Sequence, residues 1–279
     1  MAGILYVVAT PIGNLDDITL RALRILKEVD LIAAEDTRHT RNLLHHYDIR
    51  APLTSYHEHN EKIEAAKLVE KLERGEKIAL VSDAGTPAIS DPGYRLVVEA
   101  LRRGIQVIPL PGPAAVTAVL SASGLPTDRF VFVGFLPAKK QERETRLQSL
   151  RGEARTMVFY EAPHRLPASL ADMLRILGDR QVVVAREVSK IHEEYLRGTM
   201  AEVISQLGER DVRGEITVVV HGSSGEPSVS EEELKAEIQR LVDDGVGVKQ
   251  ISELLGMRHG LAKREVYQLA LALRLSRSK

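Results

Sequence analysis

Short β-branched apolar runs alternate with helix-period segments from the amino terminus onward. Ile4 to Ala9, Leu31 to Ala34, Ile78 to Val81 and Val107 to Leu110 read as strands, and Leu20 to Val29, Glu61 to Arg74 and Tyr94 to Arg103 as helices. This βαβα rhythm predicts a parallel sheet with helices on both faces over residues 1–118. After Gly124-Leu125-Pro126 the texture changes. Phe130 to Phe135, Thr156 to Tyr160, Gln181 to Ala185 and Glu215 to Val220 are strand candidates, separated by helical segments near 141–150, 167–177 and 199–207. A second α/β domain over 119–222 follows, with a cleft expected between the two.

Gly222 to Pro227 has linker composition. Ser230, followed three residues later by Glu233, is a capping-box signature for an amphipathic helix to about Val242. Val248 to Leu255, Gly256 as a turn residue and Leu261 to Leu273 complete a helix-turn-helix pattern within a C-terminal module over 228–279.

Composition narrows the function classes. The 279 residues are 44% hydrophobic and 28% charged, ordinary for a folded chain. Lys plus Arg at 38 against Asp plus Glu at 39 gives no overall electrostatic case for nucleic acid or an anionic membrane, so any basic face is local. One such face is the carboxyl end, where Arg258, Lys263, Arg264, Arg274, Arg277 and Lys279 meet only Glu265. With no cysteine, disulfides, Cys-ligated metals and thiol nucleophiles drop out, consistent with a cytoplasmic protein. No run approaches the ~18 apolar residues of a membrane span. His45-His46 and His57-x-His59 lack recognised zinc spacing, and neither HExxH nor G-x-S-x-G occurs, so no metal is expected.

The most informative segment is Ser82 to Gly93, SDAGTPAISDPG, directly after an apolar strand. Small residues at a parallel strand's carboxyl end allow close backbone approach by a ligand. The segment has neither Walker A spacing nor a following Lys, and no G-x-G-x-x-G follows any strand, which disfavours nucleoside triphosphates and ordinary dinucleotides. Thr10-Pro11-Ile12-Gly13-Asn14-Leu15 and Leu110-Pro111-Gly112-Pro113 occupy equivalent strand ends. Tyr160 to Arg165 and Arg186 to Glu194 follow strands of the second half, so their polar groups are expected on the opposite wall of the cleft.

Together, TPIGNL, AEDTR, SDAGTPAISDPG, PGPAAV, GFLP, YEAPHR and ARE-V-SK-IHEE resemble the tetrapyrrole-methylase superfamily of S-adenosylmethionine (AdoMet) methyltransferases. The resemblance is nearest the branch that methylates the 2′-hydroxyl of a cytidine in the decoding region of small-subunit ribosomal RNA. It covers essentially the whole chain and implies the tetrapyrrole-methylase fold: two α/β domains with AdoMet between them, here with a C-terminal helical addition, as a homodimer acting on rRNA or on the small ribosomal subunit. Tetrapyrrole-modifying relatives carry a G-x-G-P-G-D type loop after the first strand and Gly-Asp-Pro after the later one. Here these positions read Thr10-Pro11-Ile12-Gly13-Asn14 and Ser82-Asp83-Ala84-Gly85, which counts against a porphyrinoid substrate.

Carried onto this sequence, the resemblance implies cofactor contacts at Pro11, Ser82, Asp83, Ala84, Gly85, Ile89, Ser121, Tyr160, Glu161, Val188, Gly214, Glu215 and Ile216. Asp83 either faces the sulfonium or caps its own turn. Removing a ribose hydroxyl proton calls for a base, with Asp36, Glu161 and Glu187 as candidates and Lys190 if burial lowers its pKa. Arg38 and Arg41 suit RNA phosphates, although Asp36 or Thr37 followed by these arginines also reads as a capped helix start. Arg165, Arg258, Lys263 and Arg264 complete the expected RNA contacts. The competing functions are a tetrapyrrole methyltransferase and a DNA-binding regulator whose α/β part senses a nucleotide-like ligand.

Overall fold

The computed structural model describes residues 2–208, 210–223, 231–259, 261 and 263–276. The first half forms a parallel sheet of β1 (Ile4–Val8), β2 (Leu31–Ala34), β3 (Leu53–Ser55), β4 (Lys77–Val81) and β5 (Gln106–Leu110) in the order β3-β2-β4-β1-β5. Between them run α1 (Leu20–Glu28), α2 (Thr37–His46), α3 (Glu61–Glu73) and α4 (Tyr94–Arg102). Ile25, Leu26, Leu43 and Leu44 of α1 and α2 pack on one face against Val8, Ile32 and Val81. Leu68, Leu72, Leu96 and Ala100 of α3 and α4 pack on the other against Leu5, Ile78 and Leu80. Each fully buried Leu or Ile contributes about 1.5–3 kcal/mol, so two such layers hold the strand ends in fixed register. Thr19 caps α1 by accepting the Ala22 N–H at 3.1 Å.

The second half builds a mixed sheet of β6 (Phe130–Phe135), β7 (Thr156–Glu161), β8 (Gln181–Arg186), β9 (Glu194–Thr199) and β10 (Ile216–Val220) in the order β6-β7-β10-β8-β9. Only β6 and β7 run parallel, and β10 is antiparallel to both neighbours. Helix α5 (Ala115–Ala122) covers one face through Val116, Val119 and Leu120. Helices α6 (Lys140–Ser149), α7 (Leu166–Leu177) and α8 (Met200–Leu207) cover the other. A capping box of Thr199 and Glu202 starts α8. Arg143 of α6 and Asp172 of α7 form a buried ion pair at 2.7 Å, and Arg143 also donates to the Ala138 carbonyl.

Two strands escape the hydrophobic pattern: β3, only three residues long, and β9, whose sequence EYLRGT begins at the last residue of the charged run Arg186 to Glu194. At the carboxyl end, α9 (Glu231–Asp243), α10 (Val248–His259) and α11 (Lys263–Ser276) share a core of Leu234, Ile238, Ile251, Leu255, Val266 and Ala270. Gly256 is not the turn residue. It lies inside α10, where its carbonyl accepts the Leu261 N–H at 3.1 Å. A Cβ there would stand 3.3 Å from the Leu261 carbonyl oxygen, so glycine permits the close return of the chain. Ser230, the linker residues Ser224 to Pro227, Arg277 and Lys279 lie outside the described residues. Among those described, no helix is long and apolar enough to cross a membrane.

Candidate active site

The loops after β1, β4 and β5 are stitched together before any ligand arrives. Thr10 and Gly85 exchange backbone hydrogen bonds at 2.8 and 3.0 Å. The buried Thr10 hydroxyl donates to the Ser82 carbonyl at 3.0 Å, and Thr86 Oγ1 donates to the Pro113 carbonyl at 3.1 Å. Gly85 has φ +80°, which the absence of a Cβ permits. Of the five non-glycine residues with positive φ among those described, Ala88 and Ser90 lie in this loop and Glu187 and Ser189 in the loop after β8. Such conformations cost on the order of 1–3 kcal/mol each and persist where the surroundings demand them. Ser90 lines a cleft, and Glu187 and Ser189 line a groove beside it.

That cleft, about 420 Å³, lies between the two sheets. Asp83, Ala84, Gly85 and Ile89 line one wall, and Tyr160, Glu161, Val188, Gly214, Glu215 and Ile216 line the other. Pro11 and Ser82 lie behind the first wall, with Ser82 buried. Ser121 is on the exposed side of α5, its hydroxyl bonded to the Ala118 carbonyl, and does not line the cleft. Asp83 does not merely cap its own turn, because its carboxylate accepts the Asp36 N–H at 2.9 Å across to the loop after β2.

Two acids absent from the expected set also line the cleft. Glu35 opens the loop after β2 and accepts the Asp83 N–H at 3.4 Å; burial, opposed by that bond, raises its pKa. Asp91 is pushed up to about 6, chiefly by burial, against a hydrogen bond from Ser82 and with the charges of Glu35, Asp83 and Glu215 adding to the rise. Its place inside SDAGTPAISDPG was the available signal, but Asp-Pro-Gly ahead of a helix reads as turn chemistry. No Lys, Arg or His is among the cleft-lining residues described, so the site is acidic and suits a cation rather than a phosphate. Phe135 and Tyr160, with ring centroids 5.6 Å apart, add an aromatic edge.

The expected bases are differently engaged. Asp36 caps α2 by accepting the Arg38 N–H at 2.8 Å and forks onto the Arg38 guanidinium, whose hydrogen bonds hold its carboxyl far below the usual range. Glu161 is buried and accepts from the Ala162 N–H at 2.8 Å and from Ser169 Oγ at 2.5 Å, with Arg165 at 3.3 Å. Glu187 is lowered first by its bond from Lys190 at 2.8 Å. Lys190 fails the condition set for it: burial pulls its pKa down, but the hydrogen bond to Glu187 and the charge of Glu215 outweigh this and raise it. Neither Glu187 nor Lys190 lines the cleft; both line a neighbouring groove.

The expected RNA contacts divide similarly. Arg38 is spent on Asp36, Arg165 bonds the Leu136 carbonyl, and Arg258 pairs with Glu237 of α9, so these three bind their own chain. Arg41 lines an open hollow with His45 and Arg50, and Lys263 and Arg264 are exposed on α11. No group of three or more metal-capable side chains occurs among the described residues.

The family described as Tetrapyrrole (Corrin/Porphyrin) Methylases matches residues 4–204. The chain belongs to this family. It is 51% identical over 274 residues to Ribosomal RNA small subunit methyltransferase I of Synechocystis sp., covering 97% of this chain and 98% of the relative. The protein of the same description in Halalkalibacterium halodurans is 48% identical, with 96% and 94% covered. Among solved structures, uroporphyrin-III C-methyl transferase from Thermus thermophilus complexed with S-adenyl homocysteine superposes with a TM-score of 0.56 at 20% identity, over 78% of this chain and 97% of that one. Family members thus share the two-sheet architecture, while the C-terminal helices α9 to α11 lie beyond the matched segment.

Proposed function

We propose that this chain is an AdoMet-dependent methyltransferase that methylates the ribose 2′-hydroxyl of a cytidine in the decoding region of small-subunit rRNA, acting in the cytoplasm as a homodimer on rRNA or the small subunit. The observation that carries this reading is the 51% identity over 97% of the chain to a protein described as Ribosomal RNA small subunit methyltransferase I. The acidic cleft supports the cofactor. Asp83, Glu35 and Asp91 surround a volume suited to a sulfonium and an amine, and Phe135 with Tyr160 suits the adenine face. AdoMet, when bound, supplies an activated methyl group. The protein's own task is to exclude water, orient the ribose and take up the hydroxyl proton.

Asp91 is the group best matched to that last task. It lines the cleft and burial raises its carboxyl to about 6, whereas Asp36, Glu161 and Glu187 are held by their own partners. Arg41, Arg50, Lys263 and Arg264 supply exposed cations for phosphates, giving affinity rather than chemistry.

A cleft without lining cations disfavours a regulator that senses nucleotide phosphates, and both first-wall loops depart from the tetrapyrrole-modifying pattern. Incubation with labelled AdoMet and, separately, small subunits, naked rRNA, a porphyrinoid and duplex DNA tests the reading. Label is expected in rRNA, free or assembled. Label confined to the porphyrinoid would overturn it.

A further inference from the structure

Beside the cofactor cleft, the loop after β8 displays Ile191 with 98% of its surface exposed, more than any other large apolar side chain described. Such exposure on a slack loop would mean little, but this loop is braced from both sides. Lys190 donates its backbone N–H to the Glu187 carbonyl at 3.0 Å, and Glu193 donates to the Lys190 carbonyl at 3.1 Å. The Ser189 N–H is held by the Glu193 carboxylate at 2.5 Å, and Ser189 Oγ bonds Asp17 in the first half of the chain. Lys190 anchors to Glu187 and Glu215, and its stem lies where a Cβ on Gly13 would be, 2.3 Å from Cγ. Glu187 and Ser189 hold left-handed backbone with φ 52° and 68°.

Ile191 stands over a groove of about 720 Å³ whose opposite side is Gly13, Asn14 and Leu15. This groove adjoins the cleft directly: Ile12 and Val188 line the cleft, and their chain neighbours, Gly13 on one side and Glu187 and Ser189 on the other, line the groove. Asn14 and His192 give it groups able to bond a base edge or a ribose, and Leu15 and Ile191 give it apolar contact.

We propose that Ile191 is an apolar wedge that enters the stacked bases of the RNA substrate and holds the target nucleotide unstacked at the mouth of the cleft. The inference rests on the rRNA reading above and deepens it. The target ribose has to be held with its 2′-hydroxyl in line with the methyl group, and a rigidly presented Leu, Ile or Met inserted between base steps is a recurrent means of unstacking and fixing a nucleotide. Losing the burial of one Ile side chain corresponds to a roughly tenfold or greater loss of affinity.

The test compares wild type with Ile191→Ser, Ile191→Ala and Ile191→Leu on an rRNA fragment carrying 2-aminopurine beside the target cytidine. Because Ile191 is exposed, the melting temperature and affinity for S-adenosylhomocysteine are expected to be unchanged in all three. Ile191→Ser and Ile191→Ala should bind the RNA about tenfold more weakly or worse and lose the fluorescence rise that reports unstacking, and Ile191→Leu should restore both. Replacing the base next to the target with an abasic site should bring Ile191→Ser back toward wild type. Equal RNA affinity and equal fluorescence for Ile191→Ser and wild type would overturn the wedge while leaving wild-type rRNA methylation, and hence the function, intact. A changed sedimentation mass with unchanged RNA binding would assign Ile191 to contact with a second copy instead. A wild-type protein that neither binds nor methylates rRNA would overturn both readings.

Discussion

Replacing Asp91 with Asn should stabilise the protein at alkaline pH while impairing its function. The native carboxyl titrates at about 6 against an ordinary value of 3.8, mainly because burial disfavours the charged form. A difference of about two units corresponds to ~3 kcal/mol against the ionised native state, and partial access to solvent reduces this toward ~1–2 kcal/mol. The sign follows from linkage. With the folded-state value raised, the favourable contribution is complete below about pH 4 and is lost as pH rises through about 6. Asn carries no charge and still accepts the Ser82 hydrogen bond through its amide oxygen. Urea unfolding should therefore find Asp91→Asn more stable than wild type by ~1–2 kcal/mol at pH 8, shrinking below ~1 kcal/mol near pH 4. A variant equally stable or less stable at pH 8, or an offset that does not change with pH, would refute the reasoning. A carboxylate retained at such a cost is expected where its charge is used, so single-turnover methylation by Asp91→Asn should fall by about two orders of magnitude or more.

Other consequences follow from the same geometry. AdoMet should bind more tightly as pH rises through about 6, where Asp91 ionises, and more steeply than S-adenosylhomocysteine, which lacks the sulfonium; calorimetry showing equal slopes would count against an acidic cation site. Breaking the buried Arg143–Asp172 pair by Arg143→Ala should cost ~3–5 kcal/mol in urea unfolding, because Asp172 loses its closest partner, yet leave S-adenosylhomocysteine affinity unchanged at temperatures where the variant is folded. Arg258→Ala should loosen α10 from α9 in hydrogen exchange with little effect on the salt dependence of RNA binding, whereas Lys263→Ala with Arg264→Ala should flatten that dependence by about one to two charges; the reverse pattern would reassign the cations.

The parallel half of the fold was legible because its central strands β2 and β4 are buried on both faces, and they, with β1 and β5, stand out as continuous apolar runs. Leu53–Ser55 was not, since three residues after a proline give no period to detect. Glu194–Thr199 was hidden differently, as an edge strand whose Glu, Arg and Thr resemble solvated loop. At the site, small residues after each strand located both walls, but sequence alone does not say which acids are already bound to their own chain. Asp36, Glu161 and Glu187 each acquire a partner from a nearby Arg or Lys, whereas Glu35 and Asp91 become notable only when folding buries them against other acids. The pairing of Arg258 was hidden for the same reason, because Glu237 lies on a different helix.

The most direct test of the central claim is where the methyl group goes. After incubation of small subunits or their rRNA with the enzyme and labelled AdoMet, alkaline hydrolysis and mass spectrometry locate the mark. A 2′-O-methyl group blocks alkaline cleavage at its own nucleotide. The expected result is one labelled cytidine in the decoding region whose 3′ linkage survives alkali and whose base is unmodified, with the label lost in Asp91→Asn. Label on a base, label at many unrelated positions, or an alkali-sensitive linkage at the labelled cytidine would contradict ribose methylation.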